Sequence, residues 1–179
     1  EVGKISITLP SVEKAVKVYF KLQIKGTNIK KTYPLWIFPK EINTNIPEKI
    51  SIVRNFNKNT QKLLKEGENV LYIPYHNNIY KNSVGGLFTT DYWSYSMFKN
   101  IAESRNIAPS PGTMGLLINN DHPVFSDFPT NYHSNWQWYY LTKASRPIIL
   151  DNTPQDYRPI VQTIDNLHRS HKLGTLFEF

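Results

Sequence analysis

The hydrophobic rhythm of the chain changes near Pro39, and this change constrains the fold more than any other feature of the sequence. Before Pro39, apolar and polar residues alternate, and the series over 16–24 does so without a break. Period two is typical of antiparallel strands that bury one face. It predicts strands at 5–9, 16–24 and 33–38. We interpret residues 1–39 as the tail strands of a β-sandwich that is incomplete in this chain.

After Pro39 the pattern becomes strand, helix, strand. Compact apolar runs predict the strands, and apolar residues at helical spacing predict the helices. The predicted strands are 50–53, 70–73, 115–118, 147–150, 160–164 and 173–179. The predicted helices are 57–66, 90–104 and 135–143. About eight residues separate the last two strands, which is too few for a helical crossover, so we expect an antiparallel pair at the edge of the sheet. Strands alternating with helices otherwise predict a three-layer α/β domain with a mostly parallel sheet over 40–179.

Composition narrows the classes of function. The chain has 179 residues and no cysteine, which excludes disulfides, zinc–thiolate sites and a cysteine nucleophile. No apolar run approaches the roughly 20 residues that a membrane-spanning helix needs, so we predict no membrane span. The formal net charge is +7, but the lysines are scattered along the sequence. We therefore interpret them as a solvated surface and predict no nucleic-acid partner. We also predict no cofactor and no metal.

Polar residues follow several of the predicted strands. In open parallel sheets, ligands bind in a crevice at the carboxyl ends of the strands. Convergence of these loops would create such a crevice, whereas the more ordinary interpretation is that Asn and Asp form turns there. The candidate ligand-binding residues in these loops are His76, Asn120, Asp121, His122 and Asp151.

An aromatic group near residue 136 is the other candidate for ligand binding. Trp136, Trp138, Tyr139 and Tyr140 lie close together, and His133 precedes them. An aromatic face stacks well on the apolar face of a pyranose ring. In so short a helix, however, at least two of the four aromatic residues are expected to pack in the core. Trp136 and His133 complete the set of candidate ligand-binding residues.

Signatures of other enzyme classes are absent or weak. No G-x-S-x-G elbow is present, and Gly85-Gly86 lacks the later Gly-Lys-Ser/Thr of a phosphate loop. His168-x-x-His171 has the spacing of one helical turn, but an exposed pair of loop histidines is the more ordinary interpretation.

The order of short motifs through the last 59 residues resembles a known family. The motifs are Asp121-His122-Pro123, Phe128-Pro129-Thr130, His133-Ser134-Asn135-Trp136-Gln137-Trp138, Ile148-Ile149-Leu150-Asp151, Pro159-Ile160-Val161-Gln162 and Leu173-Gly174 followed by Leu176-Phe177-Glu178. This order resembles the C-terminal region of bacterial, Bacteroidetes-type β-galactosidase-like enzymes of glycoside hydrolase family 2. Residues 86–93 and 33–39 also resemble that region, so the similarity covers nearly the whole chain.

The resemblance implies a fold and a parent enzyme. It implies a class I glutamine-amidotransferase-like domain, with a flavodoxin-like layout, over 40–179, preceded by the tail of an immunoglobulin-like domain over 1–39. Without cysteine the chain is incapable of amidotransfer, and Thr89 or Thr90 would occupy the elbow of the nucleophile. The two carboxyl groups of family 2 hydrolysis belong to a (β/α)₈ barrel of about 250 residues, which this chain is too short to form. We therefore predict no catalytic residue here.

These observations together predict a non-catalytic accessory domain of a secreted or periplasmic family 2 glycoside hydrolase, of which the chain would be a fragment. Its expected role is structural, through packing against the remaining domains of the parent enzyme. The alternative is a carbohydrate-binding module that uses the crevice, and a weaker alternative is a residual hydrolase using Asp121 with His122 or His133. Whether the chain forms a homo-oligomer stays open.

Overall fold

The computed structural model describes residues 4–85, 94–109 and 112–179. By the density of its internal contacts the chain divides into two units. The first consists of Glu1–Asn43 and Asn120–Asn131, and the second of Thr44–Asn119 and Tyr132–Phe179.

The first unit is built on a β-hairpin. Strands β1 (Val16–Gln23) and β2 (Lys30–Ile37) pair antiparallel along their full length. Gly26 turns the chain between them with a positive φ of 79°, which glycine adopts without steric cost. The alternation seen in the sequence is confirmed here. Residues 5–9, by contrast, form no strand, and their apolar side chains are exposed, since no neighbouring strand pairs with them among the described residues.

The second unit begins with a parallel pair of strands. β3 (Ile50–Val53) and β4 (Asn69–Tyr72) lie side by side, with helix α1 (Lys58–Lys65) in the connection between them. The side chain of Asn57 caps α1 by accepting hydrogen bonds from two backbone N–H groups of the first turn. Gly67, with a φ of 83°, follows the end of the helix as a left-handed residue.

Short helices follow. These are α2 (His76–Ile79), a 3₁₀ turn at Tyr80–Asn82, and α3 (Tyr95–Ser104). Later in the second unit a 3₁₀ turn at Trp136–Trp138 leads into α4 (Tyr139–Lys143). No helix among the described residues combines the length and the apolar character needed to cross a membrane.

A four-stranded sheet forms the core of the second unit. Its strands are β5 (Gly115–Ile118), β6 (Ile148–Ile149), β7 (Val161–Ile164) and β8 (Lys172–Leu176). They are ordered β5-β7-β8-β6, and every neighbouring pair is antiparallel. The side chains of Val161 and Leu173 are completely buried in it. The predicted antiparallel pairing of the last two strands is confirmed, but the two strands lie at the centre of the sheet and not at its edge as expected.

The predicted fold class is wrong. In place of a three-layer, mostly parallel sheet of the amidotransferase-like, flavodoxin-like kind, the described residues form small antiparallel sheets and one parallel pair. The apolar runs were correctly recognised as strands, but their pairing depends on distant residues, and local periodicity does not encode it. The expected immunoglobulin-like tail is a two-stranded hairpin.

Candidate functional site

A cleft of about 240 Å³ lies beside β5 in the second unit. Five consecutive or nearly consecutive residues line it: Ser134, Asn135, Trp136, Trp138 and Tyr139. The chain leading into the cleft runs antiparallel to the outer edge of β5. There Ile118 N donates to Tyr132 O at 2.8 Å, and Leu117 bridges to His133. The four-stranded sheet therefore fixes the position of the cleft.

The two tryptophans of the 3₁₀ turn have opposite roles. Trp138 is 5% exposed and anchors the turn in the core. Its backbone carbonyl accepts a hydrogen bond from the Thr142 hydroxyl at 2.8 Å, which ties the turn to α4. Trp136, two residues earlier, is 84% exposed. A rigidly anchored turn thus presents one large aromatic ring to solvent.

Asn135 supplies a polar group at the same place. Its Oδ1 caps the turn by accepting from Gln137 N at 3.2 Å. Its Nδ2 is buried and has no hydrogen-bond partner among the described residues. A buried donor without a partner costs about 1–3 kcal/mol, and a ligand oxygen would recover part of that cost once a movement of the side chain exposes Nδ2.

Further aromatic residues extend the surface away from the cleft. The rings of Tyr139 and Tyr140 meet edge to face with their centroids 5.3 Å apart, and Tyr140 is 80% exposed. Lys143 Nζ lies 5.6 Å from the centroid of the Tyr139 ring. Exposed tyrosine and tryptophan rings next to polar groups are typical of binding surfaces.

A carboxylate–imidazole pair lies at the other edge of the sheet. Asp151 Oδ2 is 2.7 Å from His171 Nδ1, and Asp151 Oδ1 accepts from Lys172 N at 2.8 Å. The pKa of Asp151 is lowered from its ordinary value of 3.8: partial burial opposes this, but the hydrogen bonds from His171 and Lys172 and the nearby positive charge outweigh it. The pair joins the end of β6 to the start of β8. It was not predicted, because its two residues are 20 positions apart in sequence.

The structure does not bring the predicted crevice together. β5 and β6 lie at opposite edges of the sheet and run in opposite directions, so the loops after them do not meet. β4, which precedes His76, belongs to a different sheet. Asn120 and the two residues after it belong to the first unit, whereas His76 and Asp151 belong to the second. A crevice shared by all of these loops requires one parallel sheet that contains β4, β5 and β6, and the described residues do not form such a sheet.

Most of the predicted site residues have local structural contacts. Asp121 Oδ1 accepts from Asn120 Nδ2 at 3.1 Å, and His122 Nδ1 accepts from Val124 N at 3.2 Å to cap a short 3₁₀ turn. His133 Nδ1 lies 2.8 Å from Ser134 O. These contacts give no support to a hydrolase built on Asp121.

Trp136 is the predicted residue that lines this cleft. Sequence reasoning missed Asn135 as a polar partner, although an Asn just before an aromatic turn is a recognisable cap. Thr89 and Thr90, proposed for the elbow position, lie outside the described residues. Among the described residues no group of three His, Asp or Glu side chains is arranged to hold a metal ion.

Comparisons with known families match nearly the whole sequence. Residues 1–39 match a family described as a domain of unknown function, DUF8488. Residues 51–179 match a second family of that description, DUF8487. No curated protein matches the chain. Neither description names a glycoside hydrolase or an amidotransferase, so the resemblance to family 2 enzymes stays a prediction. The chain belongs to the DUF8487 family, whose model covers most of its length.

Proposed function

We propose that this chain is a non-catalytic carbohydrate-binding module that holds a sugar ring in the cleft at Trp136. The observation that carries the proposal is the exposed indole of Trp136 in a cleft that Asn135, whose buried Nδ2 has no partner, also lines. The resemblance to family 2 enzymes supports an accessory role in a secreted or periplasmic glycoside hydrolase. The cleft at Trp136 replaces the crevice expected at the strand ends.

The chemistry of a pyranose suits these two groups. One face of the ring presents C–H groups, which pack on an aromatic face, while its rim carries oxygens that accept hydrogen bonds. Trp136 offers the aromatic face, and Asn135 Nδ2 supplies the donor when its side chain turns toward the cleft that it lines. The cleft is smaller than the roughly 300–1,000 Å³ of sites for drug-sized ligands, so we expect it to hold a single sugar ring.

A structural role is the second candidate. Trp136 and Tyr140 are among the most exposed large side chains of the described residues, and aromatic residues of this kind also form the centres of protein interfaces. In that role the surface would pack against another domain of the parent enzyme. The buried donor of Asn135 favours a small ligand with a well-placed oxygen, which is why binding is the first proposal.

Calorimetric titration of the chain with galactose, glucose, mannose and their β-linked disaccharides tests the proposal. We expect saturable binding of at least one sugar in the millimolar range and its loss in Trp136→Ala. Asn135→Asp keeps Oδ1 as the cap of the turn but removes the Nδ2 donor, so it should weaken binding about tenfold, or ~1.4 kcal/mol. Tyr75→Ala, at an exposed tyrosine outside the cleft, is the matched control and should bind normally.

Absence of binding to every sugar would contradict the proposal and favour the structural role. Equal loss of affinity in Tyr75→Ala and Trp136→Ala would also contradict it, because it would place the sugar away from the cleft.

A further inference from the structure

The excess positive charge of the chain comes from a single segment. Residues 14–40 contain seven lysines and no aspartate or glutamate. Outside this segment the chain has 14 basic and 14 acidic residues, which cancel, so the segment accounts for the whole net charge of +7. The lysines are spread along the sequence, but the hairpin brings three of them onto one face.

The register of the hairpin places three of the lysines on one face. Directly paired residues of an antiparallel ladder share a face, and side chains alternate along each strand. Lys17 and Lys21 therefore lie on the same face as Lys30, together with Tyr19 between them. Lys21 and Lys30 are diagonal neighbours, about 7–8 Å apart by the geometry of a sheet, and both are exposed. We call this surface the lysine face.

Within residues 4–85, 94–109 and 112–179, no carboxylate forms an ion pair with the lysine face. Lys17 Nζ donates to the neutral amide Oδ1 of Asn131 at 2.6 Å and lies over the rings of Tyr19 and Trp36. The positive charge on this face is therefore available to an external anion.

We propose that the lysine face binds an acidic polysaccharide, one that carries carboxylate or sulfate groups along its chain. Regularly placed cations on an extended strand complement a linear polyanion. This proposal is independent of the sugar cleft, because it concerns a different unit and a different set of residues.

The composition of the face favours a polysaccharide over a nucleic acid. Proteins that bind single-stranded nucleic acids stack successive bases on several aromatic rings. Here Tyr19 is the one large aromatic residue of the face that is more than half exposed, and Lys17 lies over its ring. Positive charge without a row of exposed stacking rings matches an acidic polysaccharide better than a single-stranded nucleic acid.

Fluorescence anisotropy with labelled oligogalacturonate, neutral dextran and single-stranded oligo-dT tests the proposal on the full chain. We expect oligogalacturonate to bind at low salt, with an affinity that falls as salt rises, and dextran not to bind. In the double variant Lys21→Glu and Lys30→Glu the affinity should fall at least about tenfold, since two attractive charges become repulsive. The control Lys49→Glu and Lys58→Glu changes two exposed lysines of the second unit by the same total charge. It should alter the affinity by less than about twofold, because neither lysine belongs to the lysine face.

Three results would overturn the proposal. The first is no binding of oligogalacturonate by the native chain at low salt. The second is an equal loss in both double variants, which would indicate an effect of net charge alone. The third is tighter binding of oligo-dT than of oligogalacturonate, which would make the partner a nucleic acid. Circular dichroism of the variants checks that their fold is intact.

Discussion

The hairpin β1–β2 and the sheet β5-β7-β8-β6 are both antiparallel, yet they differ in what their side chains do. In the hairpin, Ile37 is the one strand residue that is buried, and much of the surface carries lysines. In the sheet, Val161 and Leu173 have no solvent exposure, and Asp151 and His171 join two strands at the edge. The same backbone ladder therefore serves as a presenting surface in one unit and as a packed core in the other. Stability and recognition can be separated by mutating the two regions in parallel.

Replacement of a core leucine should produce the largest contrast. Leu173→Ala leaves a cavity in the centre of the four-stranded sheet, and we expect a loss of about 2–5 kcal/mol in the free energy of unfolding. Leu22→Ala in the half-buried part of the hairpin should cost only about 1 kcal/mol, since less apolar surface is removed from contact. Urea denaturation followed by circular dichroism measures both values. Equal losses of unfolding free energy in the two variants would contradict the difference proposed between the sheet and the hairpin.

Substitutions at two glycines test the same difference between the packed sheet and the hairpin, because each adds a side chain. A Cβ at Gly174 would clash with Leu150 Cδ1 and would lie 2.7 Å from Phe177 Cδ1, so Gly174→Asn should cost at least ~2 kcal/mol through overpacking and burial of an amide. At Gly26 a Cβ meets no atom within 4 Å, and Asn tolerates a positive φ. Gly26→Asn should therefore cost less than ~1 kcal/mol. Thermal unfolding of the two variants gives the comparison, and a larger loss at Gly26 would contradict it.

The Asp151–His171 pair should make a smaller, pH-dependent contribution to the free energy of unfolding. The pKa of Asp151 is lower in the folded chain than its ordinary value of 3.8, so its stabilising effect is present above that value and is lost as pH falls through the folded pKa. Because Asp151 is partly exposed, Asp151→Asn should cost only about 0.5–1 kcal/mol at neutral pH. The native chain and the variant should become equally stable in strong acid. A difference that persists unchanged from neutral pH to strong acid, in urea titrations, would show that the carboxylate charge is not its cause.

Repulsion within the lysine face should give the smallest effect. Lys21→Gln removes one of two neighbouring positive charges, so the hairpin should gain about 0.2–0.5 kcal/mol at low salt. The gain should vanish at high salt, where the charges are screened. Amide hydrogen exchange of β1 measures it locally, with Lys49→Gln as a control that leaves β1 unchanged. Slower exchange that does not depend on salt would need another explanation.

Local features of the fold were predictable from the sequence. The bounds of β3 and β5 match their predicted runs, and α1 lies within its predicted range of 57–66. Each of these depends on residues within a few positions of one another. The pairing of β5 with β7 was not predictable, because an apolar run of four residues fits a parallel or an antiparallel neighbour equally well.

In the candidate site, too, features that depend on neighbouring residues were predictable and those that depend on distant residues were not. Trp136 was recognised as a candidate from its aromatic neighbours, which are adjacent in sequence. The burial of Trp138 beneath it and the lack of a partner for Asn135 Nδ2 became visible only when the edge of β5 was in place. The lysines of the hairpin look scattered in the sequence for a similar reason. Lys21 and Lys30 become neighbours only through the register of two different strands.

The most direct test of the sugar cleft follows the indole N–H signals of the chain by NMR during titration with the sugar that binds best. The sequence has four tryptophans, of which Trp136 lies in the cleft and is exposed, whereas Trp36 belongs to the hairpin. We predict a saturable shift of the Trp136 signal, a smaller one for Trp138, and none for Trp36. A titration in which the Trp136 signal stays in place while the sugar binds would contradict the account.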